Sequence, residues 1–178
     1  MKIIIINGQG GVGKDTFVKY CANACAFVHN ESTINPIKHF AKQIGWKGEK
    51  TERDRKFLSD FKDLLTNYND YPYNATVKKI VDIQWDYHYY NLPTSQMLIF
   101  IHCREPKEIE RWKKEHGART LIIRRRNVEQ EHGNHADDEV LNMVYDYTIY
   151  NEGTLHELRT DAENFVKKVL NEKWESKV

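Results

Sequence analysis

The feature that most constrains this 178-residue chain is the glycine-dense turn near its start. Asn7 to Gly13 reads N-G-Q-G-G-V-G, between the apolar run Lys2–Ile6 and the helix-like opening Lys14-Asp15-Thr16. Gly8, Gly13 and Lys14 fit the G-x-x-x-x-G-K spacing of a phosphate-binding loop. A β-branched run ending in such a turn aims successive backbone N–H groups at one spot, at the N-terminus of a helix. Those amides and the helix dipole favour a phosphate there, and Lys14 adds a point charge for the outer phosphates. Side chains in place of the glycines would block the phosphates, and several loop dihedrals require φ > 0.

Gly8, Gly10 and Gly13 also spell G-x-G-x-x-G, the dinucleotide fingerprint, which wants an acidic residue at the end of the second strand about 20 positions on. That strand, expected at about Ser32 to Ile34, ends in Asn35-Pro36, with Glu31 before it. The lysine directly after Gly13 has no task in a dinucleotide site, and a ligand-free glycine turn does not account for it either. The phosphate loop is therefore preferred. Where a Ser or Thr usually follows the lysine, Asp15 stands here, with Thr16 behind it. Asp15 is either a hard oxygen donor for magnesium or a favourable first-turn acid on the helix.

Composition supports a core, since 40% of residues are hydrophobic and 12% aromatic. The 27 basic and 26 acidic side chains nearly cancel, so no global field draws the chain to nucleic acid. Phosphate binding must rest on local charge. Cys21, Cys25 and Cys103 form no disulfide or metal framework and suit a reducing compartment. Cys21 and Cys25 are expected to be small packing residues on the first helix. No 18-residue apolar run exists and Ile3–Ile6 are too few for a secretory leader, so a cytoplasmic protein without membrane contact is expected.

Periodicity predicts helices over Asp15–Phe27, Ile37–Ile44, Thr51–Tyr68, Ala75–Tyr89 (capped by Asn74), Pro106–Glu115 and Thr154–Asn171. Asp70-Tyr71-Pro72 is expected to break the chain between the third and fourth. The continuous apolar run Met97–His102, with Arg119–Ile123 and Tyr147–Tyr150, predicts further strands. Alternation of strands and helices predicts a doubly wound α/β fold, one domain with a parallel sheet of about five strands. Ligands bind such sheets at the carboxyl ends of the strands, so the glycine turn, Asn35, His102–Glu105, Arg124–Arg126 and Asn151 are expected to share one rim. Trp85, Tyr87, Tyr89 and Tyr90 suit packing better than stacking on a base.

Arg104, beside His102 and Glu105, suits a forked contact to a second phosphate, against the plainer reading of a surface ion pair with Glu105 or Glu108. Arg124, Arg125 and Arg126 open a polar stretch reaching about Asp138. Mobile arginines there would close over a transferred phosphoryl group. His132, His135, Asp137 and Asp138 look like a metal cluster but lack ligand spacing.

Together these residues resemble the phage-type deoxynucleoside monophosphate kinases, within the nucleoside monophosphate kinase group of P-loop proteins. The resemblance is carried by G-Q-G-G-V-G-K-D-T (Gly8–Thr16), Asn35-Pro36-Ile37-Lys38, Arg104, Arg124–Arg126 and D-Y-T-I-Y-N-E-G-T-L (Asp146–Leu155). It implies a P-loop NTPase fold, three-layer α/β/α, with a helical acceptor-binding insert over 37–90 and a lid-like loop over 124–138. It implies ATP and Mg2+ as cofactors and transfer of the γ-phosphoryl group to a (deoxy)nucleoside 5′-monophosphate. Gly8, Gly10, Gly11, Val12, Gly13, Lys14, Asp15, Thr16 and Asn151 would bind ATP, and Asp15 and Thr16 the metal. Lys38, Arg55 and Arg104 would hold the acceptor, and Lys14, Arg104, Arg124 and Arg126 would be catalytic. Departures are His102, where the group carries a strand-end aspartate, and the composition of the lid. A monomer or homodimer, in the host cytoplasm if phage-encoded, is expected. Alternatives are a P-loop kinase for another small acceptor and a non-catalytic nucleotide-binding protein.

Overall fold

A computed structural model of the chain describes residues 1–25, 27–49, 51–126 and 140–174. Five strands, β1 (Lys2–Asn7), β2 (Val28–Ser32), β3 (Leu98–His102), β4 (Arg119–Arg124) and β5 (Tyr147–Tyr150), form one sheet in the order β2-β3-β1-β4-β5. β1 runs parallel to both β3 and β4, and β4 parallel to β5. Among the described residues the main helices are α1 (Lys14–Ala24), α2 (Asn35–Gln43), α3 (Glu52–Asn69), α4 (Tyr71–Tyr89), α5 (Pro106–His116) and α6 (Leu155–Asn171). The chain is thus α/β with a parallel sheet, as alternation predicts.

Two compact units divide it: Met1–Asn30 with Pro93–Val178, and Glu31–Leu92. In the first, β1 occupies the centre because it is apolar along its whole length. Ile3, Ile4, Ile5 and Ile6 are each at most 1% exposed, the state of a strand covered on both faces. Burying one such side chain contributes about 1.5–3 kcal/mol. Successive side chains alternate between faces. Ile4, Ile6, Leu98, Phe100, Leu121 and Ile123 form one core with Phe17, Val18 and Cys21 of α1 and Leu158, Ala162 and Phe165 of α6. Phe165 meets Phe17 edge-on at 5.5 Å and Tyr147 at 5.3 Å. Ile3, Ile5, Ile99, Ile101 and Ile122 fall on the opposite face by the same alternation. α5, with Ile109 and Trp112 buried, packs against β1.

The strand order makes a switch point. From β1 the chain passes beyond β3 to β2, whereas from β3 it crosses back over β1 to β4. Connections leaving β1 and β3 therefore run in opposite directions along the sheet, the arrangement in which such sheets take ligands at their carboxyl ends.

The second unit is helical. Ile37 and Ala41 of α2 and Tyr73, Thr76, Ile80, Ile83 and Tyr87 of α4 are buried. No residue of α3 is fully buried; Phe57 and Phe61 stack at 5.8 Å along its half-covered face. A capping box at Thr51 and Asp54 starts α3. Trp85, Tyr89 and Tyr90 are exposed and Tyr87 is buried, so the aromatic cluster divides between surface and core.

Three boundaries differ from expectation. The second strand is Val28–Ser32 instead of about Ser32–Ile34, and Asn35 begins a helix, with Pro36 in its first turn. V-H-N-E-S lies at the sheet edge, half-buried, and carries no apolar run to mark it. Pro72 lies in the first turn of α4, where its missing N–H costs nothing, and the break is a single left-handed residue, Asp70 at φ 57°. Asn74 is accordingly inside α4, its side-chain amide donating to the Asn69 carbonyl at 3.2 Å.

Candidate functional site

Strand register sets the rim of the first unit. Ile6 is level with His102, Asn7 with Ile122, and Arg124 with Tyr150. The glycine turn, His102–Glu105, Arg124–Arg126 and Asn151 therefore leave the sheet on the same edge. Asn35, Lys38 and Arg55 belong to the second unit: the first two lie on α2, Lys38 half-buried, and Arg55 is exposed in the first turns of α3.

The glycine turn passes from the central strand into α1. Gly8 has φ +140°, and a Cβ there would lie 2.4 Å from the Ile123 carbonyl oxygen. The turn thus grazes the backbone of β4, an approach only glycine permits. Gly13, at φ +97°, is the residue before α1, and a Cβ on it would meet the Asn151 side-chain nitrogen at 2.7 Å. Asn151 follows β5 and is 7% exposed; its Nδ2 donates to the Val12 carbonyl at 2.8 Å. Its own backbone N–H donates to the Arg124 carbonyl at 2.8 Å. Asn151 therefore ties the turn, through its side chain, and the end of β4, through its backbone, to the end of β5. Val12 is itself buried and anchors the turn in the core, while Gly10 and Gly11 are exposed at its crest.

The Lys14 ammonium folds back over the turn, donating to the carbonyls of Gly8 at 2.6 Å and Gln9 at 2.7 Å. A positive charge thus sits within the curve of the backbone, in the first turn of α1, where the helix dipole also favours an anion.

Asp15 and Thr16 follow. Asp15 projects to solvent, and its Oδ1 lies 3.6 Å from the His102 Nε2. That ring nitrogen also meets Asn30 Oδ1 at 2.9 Å. Asn30, on the edge strand, was not flagged by sequence reasoning, since a polar residue in a polar strand carries no spacing signal. Asp15 and Thr16 supply two hard oxygen donors beside the turn. Magnesium bound with phosphates keeps several waters and needs only one or two carboxylates. That donor set fits such an ion, although among the described residues no group of three or more His, Cys, Asp or Glu side chains converges.

Cys103 is buried, and Arg104 and Glu105 are exposed where β3 gives way to α5. Glu105 is the extended residue before α5, and Pro106 occupies its first turn, so Arg104 projects from the rim. Arg124, Arg125 and Arg126 are exposed. Arg124 donates to the Leu141 carbonyl at 3.0 Å. The Arg126 N–H donates to Glu152 Oε1 at 3.0 Å, with the guanidinium Nε 3.8 Å from the same oxygen. Beneath them Tyr145 donates to the Val140 carbonyl at 2.8 Å, and burial pushes its phenol up to about 12. The Asn7 side chain is buried at the root of the turn, beside the Tyr145 hydroxyl. His132, His135, Asp137 and Asp138, with the rest of the lid-like loop, lie outside the described residues.

In the second unit a cavity of about 330 Å³ is lined by Glu31, Asn35, His39, Thr76 and Lys79 among others. Chemically, the rim of the first unit is a concave backbone turn carrying one lysine, flanked by four exposed arginines and by the exposed carboxylates of Asp15, Glu105 and Glu152. Such an edge suits polyphosphate. No protein-family model matches the chain, and no curated protein matches it.

Proposed function

We propose that the protein transfers the γ-phosphoryl group of ATP to a (deoxy)nucleoside 5′-monophosphate, yielding the diphosphate and ADP. The single observation that carries this reading is the Lys14 ammonium held inside the glycine turn, at the carboxyl end of the central strand and the start of α1. In this reading the turn is a P-loop. Its amides and Lys14 hold the donor phosphates, and Lys14 gives up its two carbonyl partners for phosphate oxygens. Asp15 and Thr16 would hold a magnesium ion, which when bound supplies neutralising charge at the outer phosphates. Arg104 faces the acceptor phosphate. Arg124 and Arg126 neutralise charge spreading over the transferred group. An ionised phosphate acceptor needs no general base, so positioning and electrostatics carry the step.

A coupled ATP-consumption assay across ribo- and deoxynucleoside monophosphates tests the reading. Wild-type protein should consume ATP only with a matching monophosphate. Lys14→Met should lower turnover by about a hundredfold or more while the circular dichroism spectrum stays unchanged. Near-wild-type turnover in Lys14→Met would overturn the mechanism, and silence of the wild type across the whole panel would overturn the function.

A further inference from the structure

Asp15 follows the lysine of the turn, His102 ends β3, and the structure places the two side chains together. Asp15 stands where a hydroxyl residue is usual, and His102 where an acid is usual. An exposed carboxylate on the first turn of a helix has no fixed direction of its own. Here its Oδ1 lies 3.6 Å from the His102 Nε2, and the His102 side chain is only 20% exposed. Asn30 Oδ1 lies 2.9 Å from the same nitrogen and can only accept, so that nitrogen carries the hydrogen. The imidazole therefore turns an N–H, not a lone pair, toward Asp15. His102 is level with Ile6 on the neighbouring strand, so it stands beside the root of the glycine turn. At 3.6 Å the contact is an electrostatic approach and not a hydrogen bond, which leaves both carboxylate oxygens able to take another partner. An acid at position 102 would instead set two like charges against each other.

We infer that His102, anchored by Asn30, is a positioning residue that holds the Asp15 carboxylate at the mouth of the turn for magnesium. A ring nitrogen at the end of β3 then steadies an acid at the start of α1. This inference rests on the turn being the ATP-phosphate site.

The test is equilibrium binding of a fluorescent N-methylanthraniloyl ATP to the full chain, in excess magnesium and in EDTA. The ratio of the two affinities is the magnesium coupling. Asp15→Asn should abolish most of that coupling. His102→Leu should reduce it by about tenfold, leaving the EDTA affinity within about twofold, which general damage to the turn would not do. His102→Gln, which returns an amide N–H near the position of Nε2, should restore it. Asn30→Ala should weaken it through loss of the anchor and provides the decisive comparison if His102→Leu fails to fold. Asp15→Asn combined with His102→Leu should be no worse than Asp15→Asn alone, the signature of one coupled unit.

Wild-type coupling in both His102→Leu and Asn30→Ala would overturn the inference. So would an equal loss of affinity in EDTA, or failure of His102→Gln to restore the ratio. In those outcomes ATP binding by the wild type survives and only the positioning role falls. A wild type that binds no nucleotide overturns the function reading and this inference with it.

Discussion

Gly8 and Gly13 show how little freedom single positions around the turn retain. At Gly8 the obstacle is the backbone of β4, 2.4 Å from a would-be Cβ, and backbone cannot step aside. At Gly13 it is the end of the Asn151 side chain, 2.7 Å away, which can move only by abandoning Val12. Gly13→Ala should therefore cost about 1–3 kcal/mol, and Gly8→Ala more, in urea-unfolding midpoints. Asn151→Ala leaves the Val12 carbonyl buried without its donor, an expected loss of about 1–3 kcal/mol. It should also weaken ATP affinity, because the turn loses its one side-chain tether from β5. The cysteines are limited in a different way. All three thiols are buried and none is in a disulfide, and burial raises the Cys21 thiol far above its ordinary value. Native protein at pH 8 should give almost no rapid colour with Ellman's reagent and close to three thiols once unfolded in guanidinium.

Among the elements, α6 is the most completely specified at both ends. Thr154 and Glu157 form a capping box, with the Glu157 carboxylate accepting from the Thr154 N–H and hydroxyl. Those bonds hold the Glu157 carboxyl below its usual range. A carboxyl so depressed stabilises the fold at pH values above its unfolded-state value and loses that contribution as pH falls through its folded value. The stability gap between wild type and Glu157→Gln should therefore narrow as pH drops from 7 toward 3, measured by urea unfolding at each pH. At the other end, the Lys2 ammonium donates to the carbonyls of Val169, Leu170 and Glu172. Arg119 pairs with Glu172 and lies over the Trp174 ring at 4.6 Å, and Trp174 donates to the Gly117 carbonyl at 2.7 Å. Lys2→Met should cost about 2–3 kcal/mol, since one buried and two half-buried carbonyls lose their donor together.

That clasp was not legible in the sequence. A lone lysine before an isoleucine run looks like any strand end, and its partners lie some 170 positions away. β1, β3 and β4 were legible because strands buried on both faces need unbroken apolar runs. β2 was not, because an edge strand can be polar. The proline of α4 was misjudged because the same residue that breaks a helix interior is welcome in its first turn. At the rim, spacing alone was enough to single out Gly8, Gly13 and Lys14. Asn30 and the contact between Asp15 and His102 arise only when β2 and β3 bring distant positions side by side.

At the scale of the whole molecule, charge is nearly balanced, so attraction to phosphate is local to the rim and should not extend to long polyanions. Nucleotide binding, where it occurs, selects the folded chain: ATP at 100 times its dissociation constant should add about 2.7 kcal/mol to unfolding stability. That increment should vanish in Lys14→Met. The central placement of β1 has a consequence for synthesis on the ribosome. Lys2 pairs with Leu98, 96 positions later, and Ile4 with Arg119, 115 positions later. β1 is made before both of its partners, so one of its hydrogen-bonding edges stays open until β3 follows and the other until β4 does. Pairing over such separations is slow. The nascent chain therefore exposes a sticky isoleucine strand throughout that interval, and a chaperone that shields it should raise the yield of folded protein more than any stabilising mutation.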